Sequence, residues 1–171
     1  MSDKLNSRVQ LAANVAIIVV ALLTGAVLAK RYLLGGTGGG RPDPHVAAGT
    51  TLSLPGVDWA GAEKTLLLTL STDCRFCTES APFYRRLAAS TAGRTDVRLV
   101  AVLPQSPGES RDYLSRHGVE VGEVIQARPG SLGVAGTPTL ILVNKSGSVI
   151  KSWVGRLPEG EESDVLAHLG G

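Results

Sequence analysis

The sequence has few cysteines, few aromatic residues and little charge, and each shortage excludes a class of protein. Two cysteines among 171 residues are too few for a small domain held together by disulfides. Charged residues make up 19 % and hydrophobic residues 43 %, which excludes a disordered chain, because disorder requires low hydrophobicity and high net charge. Seven aromatic residues and a net charge of +2 do not give the basic, aromatic surface that nucleic-acid binding needs, so no nucleic-acid partner is expected.

The longest uncharged run lies near the N-terminus. Residues 9–29 read VQLAANVAIIVVALLTGAVLA, and a helix of about 20 apolar residues spans a hydrocarbon core of roughly 30 Å. We therefore expect a cytoplasmic tail at residues 1–8 and a transmembrane anchor with its flank at residues 9–34. A buried core helix would normally show a polar stripe, which this run lacks. A cleaved signal peptide stays an alternative, because Val27-Leu28-Ala29 ends in a small residue, although signal sequences usually have only roughly 7–15 apolar residues.

The charges around this run do not orient it. Residues 1–34 hold four basic residues and one acidic residue, a net +3, and the basic residues flank both ends of the run. The rest of the chain holds 13 basic and 14 acidic residues and is nearly neutral. Residues 35–50, GGTGGGRPDPHVAAGT, predict a flexible linker with a reach of about 20–24 Å, followed by a folded domain at residues 51–171.

Beyond the linker, strand patterns and helix patterns alternate. Short apolar runs between turn residues predict strands, and amphipathic runs predict helices. The predicted strands are Thr51–Leu54, Thr65–Leu70, Val97–Leu103, Glu123–Ala127, Thr139–Val143 and Val149–Val154, and the predicted helical segments are Cys77–Ala92, Pro107–His117, Pro129–Val134 and Pro158–Leu169. This order predicts an α/β domain whose central mixed sheet is covered by helices on both faces.

The two cysteines carry the chemical signal. In Cys74-Arg75-Phe76-Cys77, a spacing of three residues at a helix start brings two sulfurs close enough for a disulfide. The first sulfur lies by unpaired backbone N–H groups and the positive end of the helix dipole, and Arg75 adds a nearby positive charge. Because a thiolate is the attacking species, Cys74 is the predicted nucleophile and Cys77 the predicted resolving thiol.

Other uses of the cysteine pair have less support. A c-type haem site requires histidine after the second cysteine, where this chain has Thr78. A zinc site requires four ligands, and only His45, His117 and His168 are available to join the cysteines, so we expect neither a metal nor a cofactor. A purely structural disulfide stays an alternative, although closing so short a loop removes little chain entropy.

A proline marks a second candidate region. Gly136-Thr137-Pro138-Thr139 places Pro138 directly before a predicted strand. Because proline cannot donate to a sheet ladder, it belongs at a strand entrance or an edge. A cis Thr137–Pro138 bond would turn the chain and leave backbone groups free for a docking peptide. Thr137 and Pro138 are therefore candidate substrate-docking residues.

Together these features resemble the thioredoxin fold and, within it, the membrane-anchored TlpA/ResA-type thiol-disulfide oxidoreductases of the redoxin superfamily. The resemblance rests on the strand TLLLTL, the sequence CRFC at a helix start, Pro82 in that helix, and GTPT before a hairpin. Gly155, the N-terminal anchor and the 64 residues from Cys74 to Pro138 complete the pattern. The resemblance implies catalytic Cys74 and Cys77, a cis bond at Pro138, and an extra β-α insertion within residues 104–127.

The resemblance also implies a location and a direction of reaction. Members of this group hold the catalytic domain outside the cytoplasm, which here implies a single-pass protein of the inner membrane with its N-terminus inside. The expected partners are extracytoplasmic protein thiols and disulfides, with a membrane electron donor supplying a reductant.

Three residues depart from the pattern of that family. Asp73 precedes the first cysteine where such proteins usually have an apolar group, and its charge should oppose thiolate formation. Ser80 stands where the family often has an acid, and Leu68 stands where thioredoxin has a buried acid. We expect Glu79 or Asp73 to be the candidate proton-handling carboxylate, and Arg75 and Phe76 to be further candidates for tuning the pKa of the thiols.

Two rival functions stay open at this point. Ser71-Thr72-Asp73-Cys74 resembles the T-x-x-C segment of peroxiredoxins, but position 67 is Leu where that motif has Pro. A thiol peroxidase also needs an arginine near its sulfur, for which Arg75 and Arg128 are candidates. The second rival is a membrane-tethered binding module whose disulfide is only structural.

Overall fold

The computed structural model describes residues 14–15, 17–24 and 44–170. Residues 14–15 and 17–24 are helical, and no helix of the described residues is long and apolar enough to cross a membrane. The expected tail at residues 1–8, most of the expected anchor and its flank, and the first part of the expected linker lie outside the described residues.

Strands and helices alternate through residues 64–170. In chain order they are β1 (Lys64–Thr69), α1 (Arg75–Glu79), α2 (Ala81–Thr91), β2 (Val97–Leu103), α3 (Pro107–Arg116), β3 (Glu123–Gln126), β4 (Thr139–Asn144), β5 (Val149–Val154) and α4 (Glu159–Gly170). Two short 3₁₀ turns, Trp59–Gly61 and Pro129–Leu132, precede β1 and β4. The outer ends of these elements coincide with the predicted ones or differ from them by one or two residues.

The strands form one mixed sheet in the order β3-β2-β1-β4-β5. β1 pairs with β2 in parallel and with β4 in antiparallel orientation, which places the apolar run of β1 at the centre of the sheet. β3 lies parallel to β2 at one edge, and β5 closes the other edge antiparallel to β4. The predicted mixed sheet with flanking helices is confirmed, and residues 104–127 supply one helix, α3, and one edge strand, β3.

The two faces of the sheet are covered differently. On one face Leu66 and Leu68 pack against side chains from all four α-helices. On the other face Leu67 and Ile141 pack against the chain before β1 and the 3₁₀ turn Pro129–Leu132. The expectation of helices on both faces is therefore wrong for the second face, because the segment that begins with Pro129-Gly130 and ends at Gly133 (φ 71°) forms only one 3₁₀ turn.

Two predicted elements differ from the observed ones. Thr51–Leu54 is not a strand, because only Thr51 forms a β-bridge, with Ser148 of the turn between β4 and β5. The predicted helix Cys77–Ala92 starts earlier, at Arg75, and divides at Ser80 into α1 and α2. The division has a covalent cause: Pro82 has no backbone N–H to continue the helical hydrogen bonds.

The packed chain begins before residue 51. Val46 is buried in the second core, and its carbonyl oxygen accepts a hydrogen bond of 3.1 Å from the Ser152 hydroxyl. The His45 ring lies 3.2 Å from the carbonyl oxygen of the same strand residue. The last part of the predicted linker is therefore attached to β5.

Candidate active site

Cys74 lies at the point where β1 has ended and α1 begins. Its backbone is extended (φ −90°, ψ 108°), so it serves as the residue that caps the helix. The side chain accepts a hydrogen bond of 3.1 Å from the backbone N–H of Cys77, one of the N–H groups that a helix start leaves without a partner. The sequence CRFC thus places the first sulfur at the helix start, as its pattern predicts.

The two cysteines form a disulfide with a Cα–Cα distance of 5.2 Å. They differ in exposure: Cys77 is completely buried, whereas Cys74 is partly exposed. An incoming disulfide or thiol can therefore reach Cys74 and not Cys77. This asymmetry is what a nucleophile and a resolving thiol require.

The region around Pro138 lies directly beside the first sulfur. The carbonyl oxygen of Thr137 is 3.3 Å from Cys74 Sγ, although the two residues are 63 positions apart. The Thr137–Pro138 peptide bond is cis, which confirms the expectation from the family resemblance. Pro138 is buried, and its carbonyl oxygen accepts a hydrogen bond of 2.8 Å from the N–H of Gly155.

Arg75 and Glu79 form an ion pair with each other, and Arg156 joins it. Arg75 donates from Nε to Glu79 Oε1 at 2.7 Å, and Arg156 donates to Glu79 Oε2 at 2.9 Å. The hydrogen bond from Arg75 is the main cause that lowers the pKa of Glu79, so this carboxylate is held in its charged form. Glu79 is therefore poorly suited to exchange protons with a thiol near neutral pH, which was one of its predicted roles.

The other two pKa-tuning candidates are exposed at the surface. Phe76 is a large apolar side chain that is 54 % exposed. The exposed Asp73 carboxylate lies 3.5 Å from the Gln105 side-chain nitrogen. Gln105 also donates to the Ser71 hydroxyl at 3.2 Å and accepts from the Thr72 N–H at 3.4 Å.

Sequence reasoning missed Gln105 and Arg156. Gln105 follows the carboxyl end of β2, and β2 is the parallel neighbour of β1, so its position next to the loop before Cys74 follows from the strand order. That order was the signal that could have identified it. Arg156 follows Gly155, which adopts a positive φ of 83°, and nothing in the sequence pairs it with Glu79.

The interior below the cysteine pair contains no carboxylate. Among the described residues, the buried polar side chains are all threonines and serines, and Leu68 is completely buried where thioredoxin has an acid. Two hydroxyls, from Ser80 and Tyr84, are buried in this region on the helix that follows Cys77. Burial raises the pKa of Tyr84 above its ordinary value, so the phenol stays protonated.

Comparison with known proteins supports this description of the fold. No family model matches the chain, and no curated protein matches it either. Many solved structures do match, and thiol-disulfide oxidoreductases are among them. The domain therefore has the thioredoxin fold.

Three of these structures illustrate the similarity. The thioredoxin domain of a thiol-disulfide oxidoreductase from Bacteroides vulgatus is 14 % identical, with a TM-score of 0.55 over 74 % of this chain and 99 % of that one. A Chlorobium tepidum protein assigned as the thiol:disulfide interchange protein DsbE is 25 % identical, with a TM-score of 0.54 over 74 % and 98 %. A secreted Mycobacterium tuberculosis disulfide oxidoreductase is 16 % identical, with a TM-score of 0.51 over 64 % and 84 %.

Proposed function

We propose that this chain is a thiol-disulfide oxidoreductase that reduces disulfides of proteins outside the cytoplasm, tethered to the inner membrane by residues 9–29. The observation that carries the proposal is the Cys74–Cys77 disulfide at a helix start, with its exposed sulfur 3.3 Å from the Thr137 carbonyl oxygen. The fold and its structural neighbours support the same chemistry.

The reaction follows from the exposure of the two sulfurs. In the reduced protein the Cys74 thiolate attacks a sulfur of the partner disulfide, and one partner sulfur leaves as a thiolate. The Cys77 sulfur then attacks Cys74, the Cys74–Cys77 bond forms, and the second partner sulfur leaves. The two protons of the dithiol end on the two partner thiols, and two electrons pass to the partner.

The proposed direction, reduction of the partner, rests on the electrostatics around the pair. A thioredoxin-fold protein oxidises its partners when its reduced form is strongly stabilised. Here Arg75 is engaged with Glu79, Asp73 adds a negative charge beside Cys74, and Cys77 is buried among apolar side chains. Each of these features disfavours a thiolate, so the disulfide is the favoured form and the dithiol is a good electron donor.

The proposed location rests on the sequence and on the neighbours. Residues 9–29 have the length and apolarity of a membrane span, and a disulfide pair is regenerated or consumed in an oxidising compartment. The similar Mycobacterium tuberculosis protein is a secreted one. A reductant in such a compartment needs a supply of electrons, for which we propose a donor in the membrane.

The test of the proposed direction is the reduction potential of the Cys74–Cys77 pair. The purified protein is equilibrated in a series of glutathione redox buffers, and the thiol content is measured at each ratio. We expect a potential closer to the value of about −270 mV for thioredoxin than to the value of about −120 mV for DsbA. A value near the latter would overturn the reductant role and leave the exchange activity standing.

Two further assays separate the rival functions. The wild-type protein should accelerate the reduction of insulin by dithiothreitol, and a double Cys74→Ser, Cys77→Ser variant should not. A structural disulfide predicts no acceleration by either protein. A thiol peroxidase predicts rapid consumption of hydrogen peroxide by the reduced protein. We do not expect it, because Arg75, one of the two candidate arginines, is paired with Glu79 and Leu67 replaces the proline of the peroxiredoxin motif.

A further inference from the structure

Two buried hydroxyls lie on the helical surface that holds the resolving cysteine. Ser80 and Tyr84 are 7 % and 2 % exposed, and neither hydroxyl oxygen completes a hydrogen bond of ordinary geometry with another protein group. The Ser80 hydroxyl lies near enough to the phenol to offset a part of the rise in the Tyr84 pKa. A buried hydroxyl without a partner is costly, so two on one helix need an explanation.

The helical spacing puts Ser80 and Tyr84 on the face of the helix that carries Cys77. Ser80 follows Cys77 by three residues, and Tyr84 follows Ser80 by four, which are the spacings that bring side chains together on one helical surface. The backbone stays helical across the division at Ser80, since Ser80 N–H bonds to Phe76 O and Tyr84 N–H bonds to Ser80 O. Cys77 and Tyr84 also belong to the same buried cluster.

The resolving step needs what these hydroxyls offer. Cys77 must lose its proton and carry a negative charge as it attacks the mixed disulfide on Cys74, and burial opposes that charge. Among the described residues no carboxylate is buried in this region that could take part. Hydroxyls can donate hydrogen bonds to a thiolate, and hydrogen bonds to charged groups are stronger than those between neutral groups.

We propose that Ser80 and Tyr84 are positioning residues that donate hydrogen bonds to the Cys77 thiolate and so promote the resolving step. The step itself is balanced: the Cys77–Cys74 bond forms, the bond between Cys74 and the partner sulfur breaks, and the proton from Cys77 reaches the leaving partner thiolate through solvent. The inference rests on the proposed oxidoreductase function, because it assigns a role within that reaction.

The groups that could compete for this role are few. The titratable groups on and beside α1 and α2 include Asp73, Cys74, Arg85 and Tyr113, together with Glu79 and its partners Arg75 and Arg156, and the ion pair of Arg86 with Glu162. The Tyr113 hydroxyl is already engaged with the Thr78 hydroxyl at 3.2 Å. The two glutamates are held in ion pairs with arginines, so the Ser80 and Tyr84 hydroxyls, which lie beside each other, are the candidate donors to the thiolate.

The direct test is the titration of Cys77 alone. A Cys74→Ser background leaves Cys77 as the single thiol of the chain, and the ultraviolet absorbance of the thiolate then reports its pKa. Adding Ser80→Ala or Tyr84→Phe should raise this pKa by about one unit each, which corresponds to the loss of a hydrogen bond to a charged group. Ser80→Thr, which keeps the hydroxyl, should retain the parental value.

The matched control is Thr65→Val, which removes another buried hydroxyl without a partner from a residue of the central strand. It should leave the Cys77 titration unchanged. If Ser80→Ala does not fold, the Cys77 titration in Tyr84→Phe still tests the proposal. That variant removes a single oxygen atom, which completes no hydrogen bond in the folded oxidised protein. If the Cys77 pKa in both variants equals the Cys77 pKa in the Cys74→Ser parent, the proposal is overturned.

A kinetic readout follows in the protein with both cysteines. The reduced protein reacts with 5,5′-dithiobis(2-nitrobenzoate): Cys74 releases the first nitrothiobenzoate, and attack by Cys77 releases the second. Near neutral pH, Ser80→Ala and Tyr84→Phe should slow the second release by about three- to tenfold and leave the first unchanged. Equal slowing of both phases would point to a general structural effect and overturn the assignment.

These results are distinguishable from a failure of the proposed function. If the wild-type protein reduces no protein disulfide although the Cys77 titration shifts as expected, the oxidoreductase proposal fails and the hydroxyl contacts stand. If exchange proceeds normally and the titration does not shift, only the present inference fails.

Discussion

At the scale of single residues, the environments of the two cysteines are unequal. Cys74 is partly exposed, and its sulfur accepts a hydrogen bond from the backbone N–H of Cys77. Cys77 is completely buried. Accessibility decides which sulfur meets a substrate, and the helix start decides which sulfur is the better nucleophile. Both criteria select Cys74.

We expect opposite results from substituting the two cysteines. Cys74→Ser should abolish insulin reduction, whereas Cys77→Ser should retain the first attack and accumulate a mixed disulfide, because the resolving sulfur is missing. Non-reducing electrophoresis followed by mass spectrometry detects that adduct. As a check on the assignment, iodoacetamide should alkylate Cys74 before Cys77 in the reduced wild-type protein at mildly acidic pH, and the reverse order would exchange the two roles.

At the scale of elements, one carboxylate joins β5 to α4. Asp164 on α4 accepts hydrogen bonds from Lys151 Nζ at 2.7 Å and from Trp153 Nε1 at 2.8 Å, and both donors belong to β5. The His168 ring lies 3.4 Å from the second carboxylate oxygen. The hydrogen bond from Lys151 is the main cause that lowers the pKa of Asp164 below its ordinary value of 3.8.

This lowered pKa gives a pH dependence with a definite sign. A carboxyl group whose pKa is lower in the folded state contributes stability above its unfolded pKa, and that contribution is lost as the pH falls through the folded value. Asp164→Asn should therefore lower the urea midpoint near pH 7, and the difference from the wild type should shrink as the pH falls below the ordinary value of 3.8 and through the lowered pKa of the folded protein. Trp153 fluorescence can follow the unfolding.

The matched control for that experiment is Glu161→Gln, which removes an exposed carboxylate from the same helix. It should change the urea midpoint little at either pH. A difference between the wild type and Asp164→Asn that does not shrink at any pH down to the lowest at which the wild type stays folded would show that the carboxylate charge is not the source of the effect.

At the scale of the whole molecule, the strand order assembles the site. Cys74 follows the carboxyl end of β1, and Thr137 precedes the amino end of β4, which is antiparallel to β1 with Thr69 opposite Thr139. The carboxyl end of β1 and the amino end of β4 therefore lie side by side at the same end of the sheet. Any chain that pairs these strands in this register brings the disulfide and the Pro138 region into contact.

The proposed tether gives a prediction at the same scale. A reporter enzyme that is active only outside the cytoplasm, fused after residue 171, should be active and should fractionate with membranes. Deleting residues 9–29 should abolish reporter activity. An active cytoplasmic reporter at the same junction would contradict the proposed location, and a mature form beginning at Lys30 would identify a cleaved signal peptide instead of an anchor.

The sequence by itself determined the elements and the reactive pair. Apolar runs predicted β1, β2 and β4 within one residue, because strands buried on both faces leave few polar positions. The turn residues between β4 and the next strand pattern predicted β5 as the second strand of a hairpin. The spacing of CRFC predicted a disulfide at a helix start. These features are local, since they depend on neighbouring residues and on the helix and strand periods.

Only the tertiary structure decided how the candidate residues are used. Glu79 and Arg75 were predicted to tune the thiols, yet they pair with each other and with Arg156 from a loop 77 positions away from Glu79. Gln105, Ser80 and Tyr84 gained their importance from where the sheet and the buried cluster place them. The physical reason is that a charge or hydroxyl acts over a few ångströms in space, and strand order, not sequence separation, sets those distances.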